Sequence, residues 1–496
     1  MIEVKTGSGV VRGAVEGDLV AWRGIPYAAS TAGDGRLRAP RAPEPWTGVR
    51  DASRFGPVPP QARNNAMLGA GRRTPMGEDC LSINVLRPAA GSTRPRPVMV
   101  WIYGGAFSAG SSAATLYGGK ELVRAGDVVH VTFNYRLGVL GYLDFTRYAT
   151  PVRPVDANLG LRDQVAALEW VRDNIAAFGG DADNVTVFGE SAGAISVTTL
   201  MATPAARGLF ARAISESSAV EAAYTSGRAA GWAADLAGIL GAGPHDALDA
   251  VLRADPAALV AAGATLDAWT NERTPGTLCF APVVDGDYLP EHPIDAFDGG
   301  RTHPVPLLIG TNDREATLFA RSGRVLPTST DLIDRMFAVT DPGARTRILS
   351  AYPRYPAAAS AVDLGGDVTF WWPSIRAADG HSAVAPTWVY RYDFAPRALK
   401  VLGVDATHGT EMAAVFGAKR LSRLLTAFGG RQDLAGVTRR VQEHWISFAR
   451  TGAPAAGWPG YDVADRRTLV IDAEDRVECD PRRARRQAWT GYANYR

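Results

Sequence analysis

Residues 185–193 read Val-Thr-Val-Phe-Gly-Glu-Ser-Ala-Gly, a strand-like apolar run that must turn sharply at a serine held between two glycines. No other stretch constrains the fold as much. A hydroxyl that projects from a tight strand-to-helix turn needs neighbours without side chains, and Gly189 and Gly193 provide them around Ser191. The next residues, Ala-Ile-Ser-Val-Thr-Thr-Leu-Met, can start a helix whose N-terminal amides and partial positive charge face the turn. The pattern implies a strand–turn–helix unit within a larger sheet and makes Ser191 a candidate nucleophile. In a chain with 53 glycines the pattern alone is a weak signal, so its context has to carry the argument.

Upstream, residues 97–107 read Pro-Val-Met-Val-Trp-Ile-Tyr-Gly-Gly-Ala-Phe, a run of buried-strand length that breaks into a turn of small residues. Gly104, Gly105 and Ala106 let backbone N–H groups approach an oxygen closely, as stabilising an oxyanion requires. A serine hydroxyl is unreactive at neutral pH and needs a base, together with a residue that orients the base. Of the seven histidines, His130 sits in an apolar strand-like run, His292 and His303 adjoin prolines, and His444 lies in a helical pattern. His245 and His381 are in polar, turn-like surroundings. His408 differs, standing in the small-residue loop Asp-Ala-Thr-His-Gly-Thr-Glu-Met that leads into a helix-like segment at 411–416. The short apolar strand 307–310 ends in Thr-Asn-Asp-Arg-Glu-Ala and offers two candidate acids, Asp313 and Glu315. Serine, then acid, then histidine is the chain order of an α/β-hydrolase.

Apolar, β-branched runs at 98–102, 128–133, 185–188, 305–309, 388–392 and 468–471 supply candidate core strands, with helix-like runs such as 161–177 between them. The implied class is α/β, a large, mostly parallel central sheet with helices on both faces. Alanine-rich stretches at 220–263 and 330–362 fall outside the strand order and read as a helical cap. The Pro/Gly/Ser/Arg segment 87–97 reads as an exposed loop between strands of one sheet.

Further blocks extend along the whole chain. They include Arg23-Gly24-Ile25-Pro26-Tyr27-Ala28, Glu78-Asp79-Cys80-Leu81, Asn134-Tyr-Arg-Leu-Gly138, Asn158-Leu-Gly-Leu-Arg-Asp-Gln164, Pro282-Val-Val-Asp-Gly286 and His408-Gly-Thr-Glu411. In this order they resemble the type-B carboxylesterase family of bacterial para-nitrobenzyl-type esterases, animal carboxylesterases and cholinesterases. The resemblance implies one α/β-hydrolase domain over residues 1–496, without cofactor or metal. It also implies ester hydrolysis through an acyl-enzyme, with Ser191 as nucleophile, His408 as base and Glu315 rather than Asp313 as the acid. The oxyanion donors would be the amides of Gly105, Ala106 and Ala192. Glu190 would add a negative field or merely brace the elbow, and Ser217 would bond the acid or simply satisfy a strand end. An ordinary histidine places the loss of activity at roughly pH 6 to 7. Where the family usually has Asp-Glu-Gly, this chain has Arg314-Glu315-Ala316.

The same resemblance bears on substrates. Ala70 holds the place of the cholinesterase tryptophan, in a stretch 64–73 without aromatic residues, and Gly276 and Leu278 hold places where acetyl-specific members carry phenylalanines. Neutral aryl or alkyl esters of short to medium acyl length are therefore expected. Remaining alternatives are a lipase, an amide or carbamate hydrolase on the same triad, or a non-catalytic adhesion-type member.

A net charge of +2 favours neither nucleic acid nor an acidic partner, and no apolar run approaches the span of a bilayer. The N-terminus lacks a basic and apolar leader pattern, so a cytoplasmic protein, monomer or homodimer, is expected. Cys80, Cys279 and Cys479 are too few and too scattered for a disulfide framework. In secreted relatives the cysteine at Cys80 is paired upstream, whereas here Pro59 stands in the partner's place. Arg482, Arg483, Arg485 and Arg486 read as a solvated helix face.

Overall fold

The computed structural model describes residues 1–63, 68–322 and 326–495. Apolar runs long enough to be buried on both faces become the middle of a thirteen-stranded sheet among these residues. From one edge the strands run Ile2–Thr6, Gly9–Glu16, Leu19–Pro26, Ser82–Pro88, Val129–Phe133, Arg96–Ile102, Gly180–Glu190, Arg212–Glu216, Leu307–Asn312, Thr387–Tyr392, Arg467–Ile471 and Arg476–Cys479. The short strand Val49–Asp51 joins Gly9–Glu16 beside this path. Between Val129–Phe133 and Arg467–Ile471 every neighbour is parallel. Parallel sheets need cover on both faces, which explains the near-continuous burial of 98–102 and 129–133.

The chain leaves Arg96–Ile102 toward Val129–Phe133 on one side and comes back through the helix Leu159–Asn174 to Gly180–Glu190 on the other. This reversal opens a crevice at the carboxyl ends of two neighbouring strands, where open α/β sheets place their ligands. The small-residue turn after Ile102 and the elbow at Ser191 both lie there.

The expected strand 305–309 begins later, at Leu307, because Pro304 and Pro306 have no N–H to give to a ladder, and it runs on to Asn312. The expected helix 161–177 is Leu159–Asn174 followed by a tighter turn, Ile175–Phe178. Helices Ser226–Ile239, Ala247–Arg253 and Pro256–Arg273 occupy the first alanine-rich insertion and continue past it. Thr330–Val339, Arg345–Ser350 and Ala358–Gly366 occupy the second. Among the described residues no helix is long and apolar enough to cross a membrane.

Of the arginine cluster only Arg483 is solvated; Arg482, Arg485 and Arg486 turn inward. Arg482 donates to Asp313 Oδ1 at 2.6 Å and Asp367 Oδ1 at 3.0 Å, Arg485 reaches Asp367 Oδ2 at 2.9 Å, and Arg486 holds Asp480 at 2.8 Å. Asp313 and Asp367, the partners of Arg482, come from distant segments, which a charge run in the sequence cannot reveal.

Candidate active site

The elbow is built as its glycines imply. Ser191 adopts φ 59°, ψ −125°, and its N–H donates to Glu216 O at 3.0 Å. A non-glycine residue there stores on the order of 1–3 kcal/mol of strain. A Cβ on Gly193 would fall 2.0 Å from Ile102 O, and one on Gly189 would fall 2.6 Å from the Gly193 backbone, so neither position admits a side chain. Helix Ala192–Met201 follows directly, its N-terminus at the turn.

The small-residue turn presses against this elbow. A Cβ on Gly104 would lie 2.5 Å from Glu190 O and 2.9 Å from Ser191 Cβ. Gly105, Ala106 and Phe107 all have positive φ, and Phe107 is anchored by its ring 4.2 Å from that of Tyr142 and by Gly138 N–H donating to its carbonyl at 2.7 Å. Gln61 clips the turn at Gly110 through two hydrogen bonds, at 2.9 and 2.8 Å. The amides of Ser108 and Ala109 are used on Gly105 O, whereas those of Gly105, Ala106 and Ala192 donate to no backbone acceptor in this region.

The other histidines are mostly committed to structure. His130, His292 and His303 bond backbone carbonyls at 2.8–3.0 Å, and His381 sits between Thr302 and Val305. His444 lies against Trp458, and His245 is exposed. His408 is placed by its N–H on Glu315 O at 3.3 Å and by Thr407 Oγ1 on the same carbonyl at 3.1 Å. Its Nδ1 is 2.7 Å from Glu315 Oε2, and its ring centroid lies 4.5 Å from that of Phe370 and 5.1 Å from that of Phe319. On the opposite edge Nε2 is 3.1 Å from Glu190 Oε1, but the alignment is too poor for a hydrogen bond and Nε2 has no partner. The close distance counts as a charge contact, and the proton site stays open.

Glu315 is fixed by two further residues. Its Oε1 accepts from Ser217 Oγ and from Asn312 N–H, each at 2.6 Å. Asp313, the other carboxyl offered by the sequence, instead turns to Arg482. The Arg314 and Ala316 departures are accommodated locally. Arg314 reaches Asp363 at 2.9 Å, and the Ala316 methyl faces Gly366, where an added Cβ would lie 3.5 Å away.

Sequence reasoning missed the carboxylates behind this pair. Glu411 Oε2 accepts from Asn312 Nδ2 at 2.7 Å, and its Oε1 is 3.3 Å from Ser217 Oγ. Glu216 accepts from Trp445 Nε1 at 2.7 Å. Three carboxyls, Glu190, Glu315 and Glu411, therefore act on one imidazole, with Glu216 behind Glu411, and their environments differ. Burial, reinforced by Glu190 and Glu315, pushes Glu411 up to about 8, and burial with Glu411 nearby holds Glu216 well above the carboxylate range. Burial also raises Glu190, opposed by His408. For His408, burial pulls the imidazole down, but Glu190 and Glu315 outweigh it and push it up to about 9. The ordinary imidazole value behind the expected pH 6 to 7 therefore does not describe His408. The only sequence signal for Glu411 was its place three residues after His408.

Ala70, at the place of the cholinesterase tryptophan, is fully buried, while residues 64–67 of that stretch lie outside the described residues. Leu278 N–H donates to Tyr224 Oη at 3.2 Å, and Gly276 has φ +85°. Cys80, Cys279 and Cys479 are free thiols, the first two buried.

The model of the carboxylesterase family matches residues 1–489. The chain is 38% identical over 490 residues to the para-nitrobenzyl esterase of Bacillus subtilis (strain 168), covering 98% of this chain and 97% of that protein. It is 34% identical over 483 residues to the fumonisin B1 esterase of Sphingopyxis macrogoltabida, covering 92% and 84%. Among solved structures it is similar to a thermophilic PNB esterase, with a TM-score of 0.89 at 36% identity over 98% of this chain and 99% of that one. Sheet topology, elbow and end-to-end similarity agree: this chain belongs to the carboxylesterase family and is a carboxylic-ester hydrolase of the α/β-hydrolase fold.

Proposed function

We propose that the chain hydrolyses neutral aryl or alkyl esters of short to medium acyl length through a Ser191–His408–Glu315 triad. The supporting observation is the 2.7 Å contact of His408 Nδ1 with Glu315, which leaves Nε2 unpartnered on the side of the elbow. Contact with the carboxylate puts the imidazole proton on Nδ1 and leaves a lone pair on Nε2. His408 takes the proton of Ser191 through Nε2, and Ser191 Oγ attacks the ester carbonyl. The oxyanion is held by the amides of Gly105, Ala106 and Ala192, assisted by the N-terminus of the ten-residue helix behind Ser191. Imidazolium then protonates the departing alcohol, and a water activated by the same nitrogen releases the acid. Glu190 acts as a second negative partner of the imidazolium, and Ser217 orients Glu315 through the 2.6 Å bond.

We further propose that the helices at 220–263 and 330–362 cap this crevice within a single domain, and that the enzyme is cytoplasmic, as three unpaired thiols suit a reducing compartment. It would work as a monomer or homodimer without cofactor. The neutral-ester reading draws support from the absence of an aromatic cation cage at Ala70. Para-nitrophenyl acetate, butyrate, octanoate and palmitate, compared by kcat/KM with acetylthiocholine and butyrylthiocholine, test it. A maximum at butyrate or octanoate is expected. Preference for a thiocholine ester, or for palmitate over butyrate, overturns the reading.

A further inference from the structure

The acyl-transfer mechanism gives no part to the C-terminal segment, yet one of its side chains reaches the back of the site. Arg482 sits at the head of the helix Arg483–Trp489 in a left-handed conformation, φ 63°, ψ 29°, which an arginine keeps only when its surroundings hold it there. Its side chain is 14% exposed. Nη2 donates to Asp313 O at 2.7 Å and to Asp313 Oδ1 at 2.6 Å, while Nη1 donates to Asp367 Oδ1 at 3.0 Å. The guanidinium carbon also lies 5.6 Å from the Trp371 ring centroid. Asp363 and Arg391 complete the charges around it.

Each of these contacts adjoins a residue that shapes the triad. Asp313 lies two residues before Glu315 on the same turn. Asp367 follows Gly366, where an added Cβ would fall 3.2 Å from both Glu315 Cβ and Ala316 N, so this backbone packs directly on the acid. Trp371 follows Phe370, whose ring lies 4.5 Å from that of His408. Residues Asp367–Trp371 form a π-helical turn, an uncommon geometry that is frequent at functional sites. Arg485 holds the same turn through Asp367 Oδ2 at 2.9 Å. Buried ion pairs add little net stability, because desolvation offsets their attraction, so stability alone does not account for this one.

We propose that Arg482 is a positioning residue of the triad, whose guanidinium clamps the Glu315 turn to the Phe370 turn and so fixes Glu315 against the His408 ring. The inference rests on the triad reading above. A guanidinium is a rigid planar fork with donors on separate nitrogens, whereas an ammonium is a single point charge and cannot grip both turns in the same way. Asp313→Asn is a milder perturbation, since the bond to the Asp313 carbonyl survives it.

The test uses the full chain with Arg482→Lys and Arg482→Met, each titrated with a fluorophosphonate so that kcat for para-nitrophenyl butyrate is counted per competent Ser191. It should fall roughly 10- to 100-fold in Arg482→Met, as expected when a catalytic group is misplaced by about 1 Å, and several-fold in Arg482→Lys. KM should stay within about twofold, because Arg482 touches no substrate. The acidic limb of the pH profile should also move down, by up to about one unit. Glu190, Glu315 and Glu411 all raise His408, and a looser Glu315 contact raises it less. A merely structural role would lower Tm and the labelled fraction while sparing both readings. Turnover per labelled serine within about twofold of the parent, or a limb that stays in place, therefore overturns the proposal. Should Arg482→Met fail to label, Arg482→Lys decides by the same two readings. A parent whose turnover survives Glu315→Gln intact refutes the triad reading itself, and the clamp with it.

Discussion

Replacing Glu190 with glutamine should shift the acidic limb of the pH profile downward. His408 must be neutral to accept a proton, so turnover falls as pH drops through its pKa. In the intact protein burial favours neutral imidazole, yet Glu190 and Glu315 together push it up to about 9. Measured from an ordinary value of 6.5, that rise is about 3 kcal/mol in favour of the imidazolium. Activity should therefore still be climbing above neutrality. Glu190 contributes through a carboxylate oxygen 3.1 Å from Nε2, whereas Glu315 contributes through the aligned bond at Nδ1. An opposite charge at such a distance displaces a pKa by about 1–3 units, so Glu190→Gln should lower the midpoint by that amount. Glutamine preserves the shape of the side chain, and the Glu315 bond is untouched. The assay is kcat/KM for para-nitrophenyl butyrate from about pH 5 to about pH 10, corrected for spontaneous hydrolysis. A midpoint that stays in place or rises, in a variant that still labels with a fluorophosphonate, would refute the assignment of the upward displacement to Glu190.

Other outcomes follow from the same geometry. His408→Ala should cut kcat by several orders of magnitude and Glu315→Gln nearly as much, while Asp313→Asn, which loosens Arg482 and Arg391, should leave kcat within a few-fold. Steady-state kinetics at pH 8 check the ranking, and a larger loss in Asp313→Asn contradicts the choice of acid. Glu411 is held neutral up to about 8, so the unfolded chain ionises it over a range where the fold keeps it protonated. The resulting penalty on folding grows as pH climbs from the ordinary carboxylate range toward 8, to on the order of a few kcal/mol. Glu411→Gln removes it, and thermal unfolding should show a larger gain in Tm over the parent at pH 8 than at pH 5. Iodoacetamide should modify Cys479 in the native protein while sparing buried Cys80 and Cys279, as intact mass before and after denaturation will show.

The central strands and the elbow were legible because their signals are local. A β-branched run reads as a buried strand, and the glycines flanking Ser191 mark a turn that no Cβ can enter. His408 was legible by elimination, since the surroundings of the other histidines already suggested core or surface positions. The choice between Asp313 and Glu315 was not legible from the residues alone. It depends on which side of the strand end each carboxyl faces, and that is fixed by Arg482, 169 residues further along, and by Ser217 just past the end of a neighbouring strand. The same holds for Glu216 and Glu411: the sequence shows acids, but only the packing of Trp445 and Asn312 against them reveals that they are buried, which raises both. The arginines at 482–486 were misread for the same reason, as their partners lie outside the helix that carries them.

Covalent labelling tests the central claim most directly. After incubation with a fluorophosphonate, intact mass and peptide mapping should show one phosphonyl group per chain, on Ser191, appearing in step with the loss of ester hydrolysis. Ser191→Ala should neither label nor turn over ester while unfolding cooperatively. Labelling of another serine with activity lost in parallel, or full turnover by Ser191→Ala, would contradict the account.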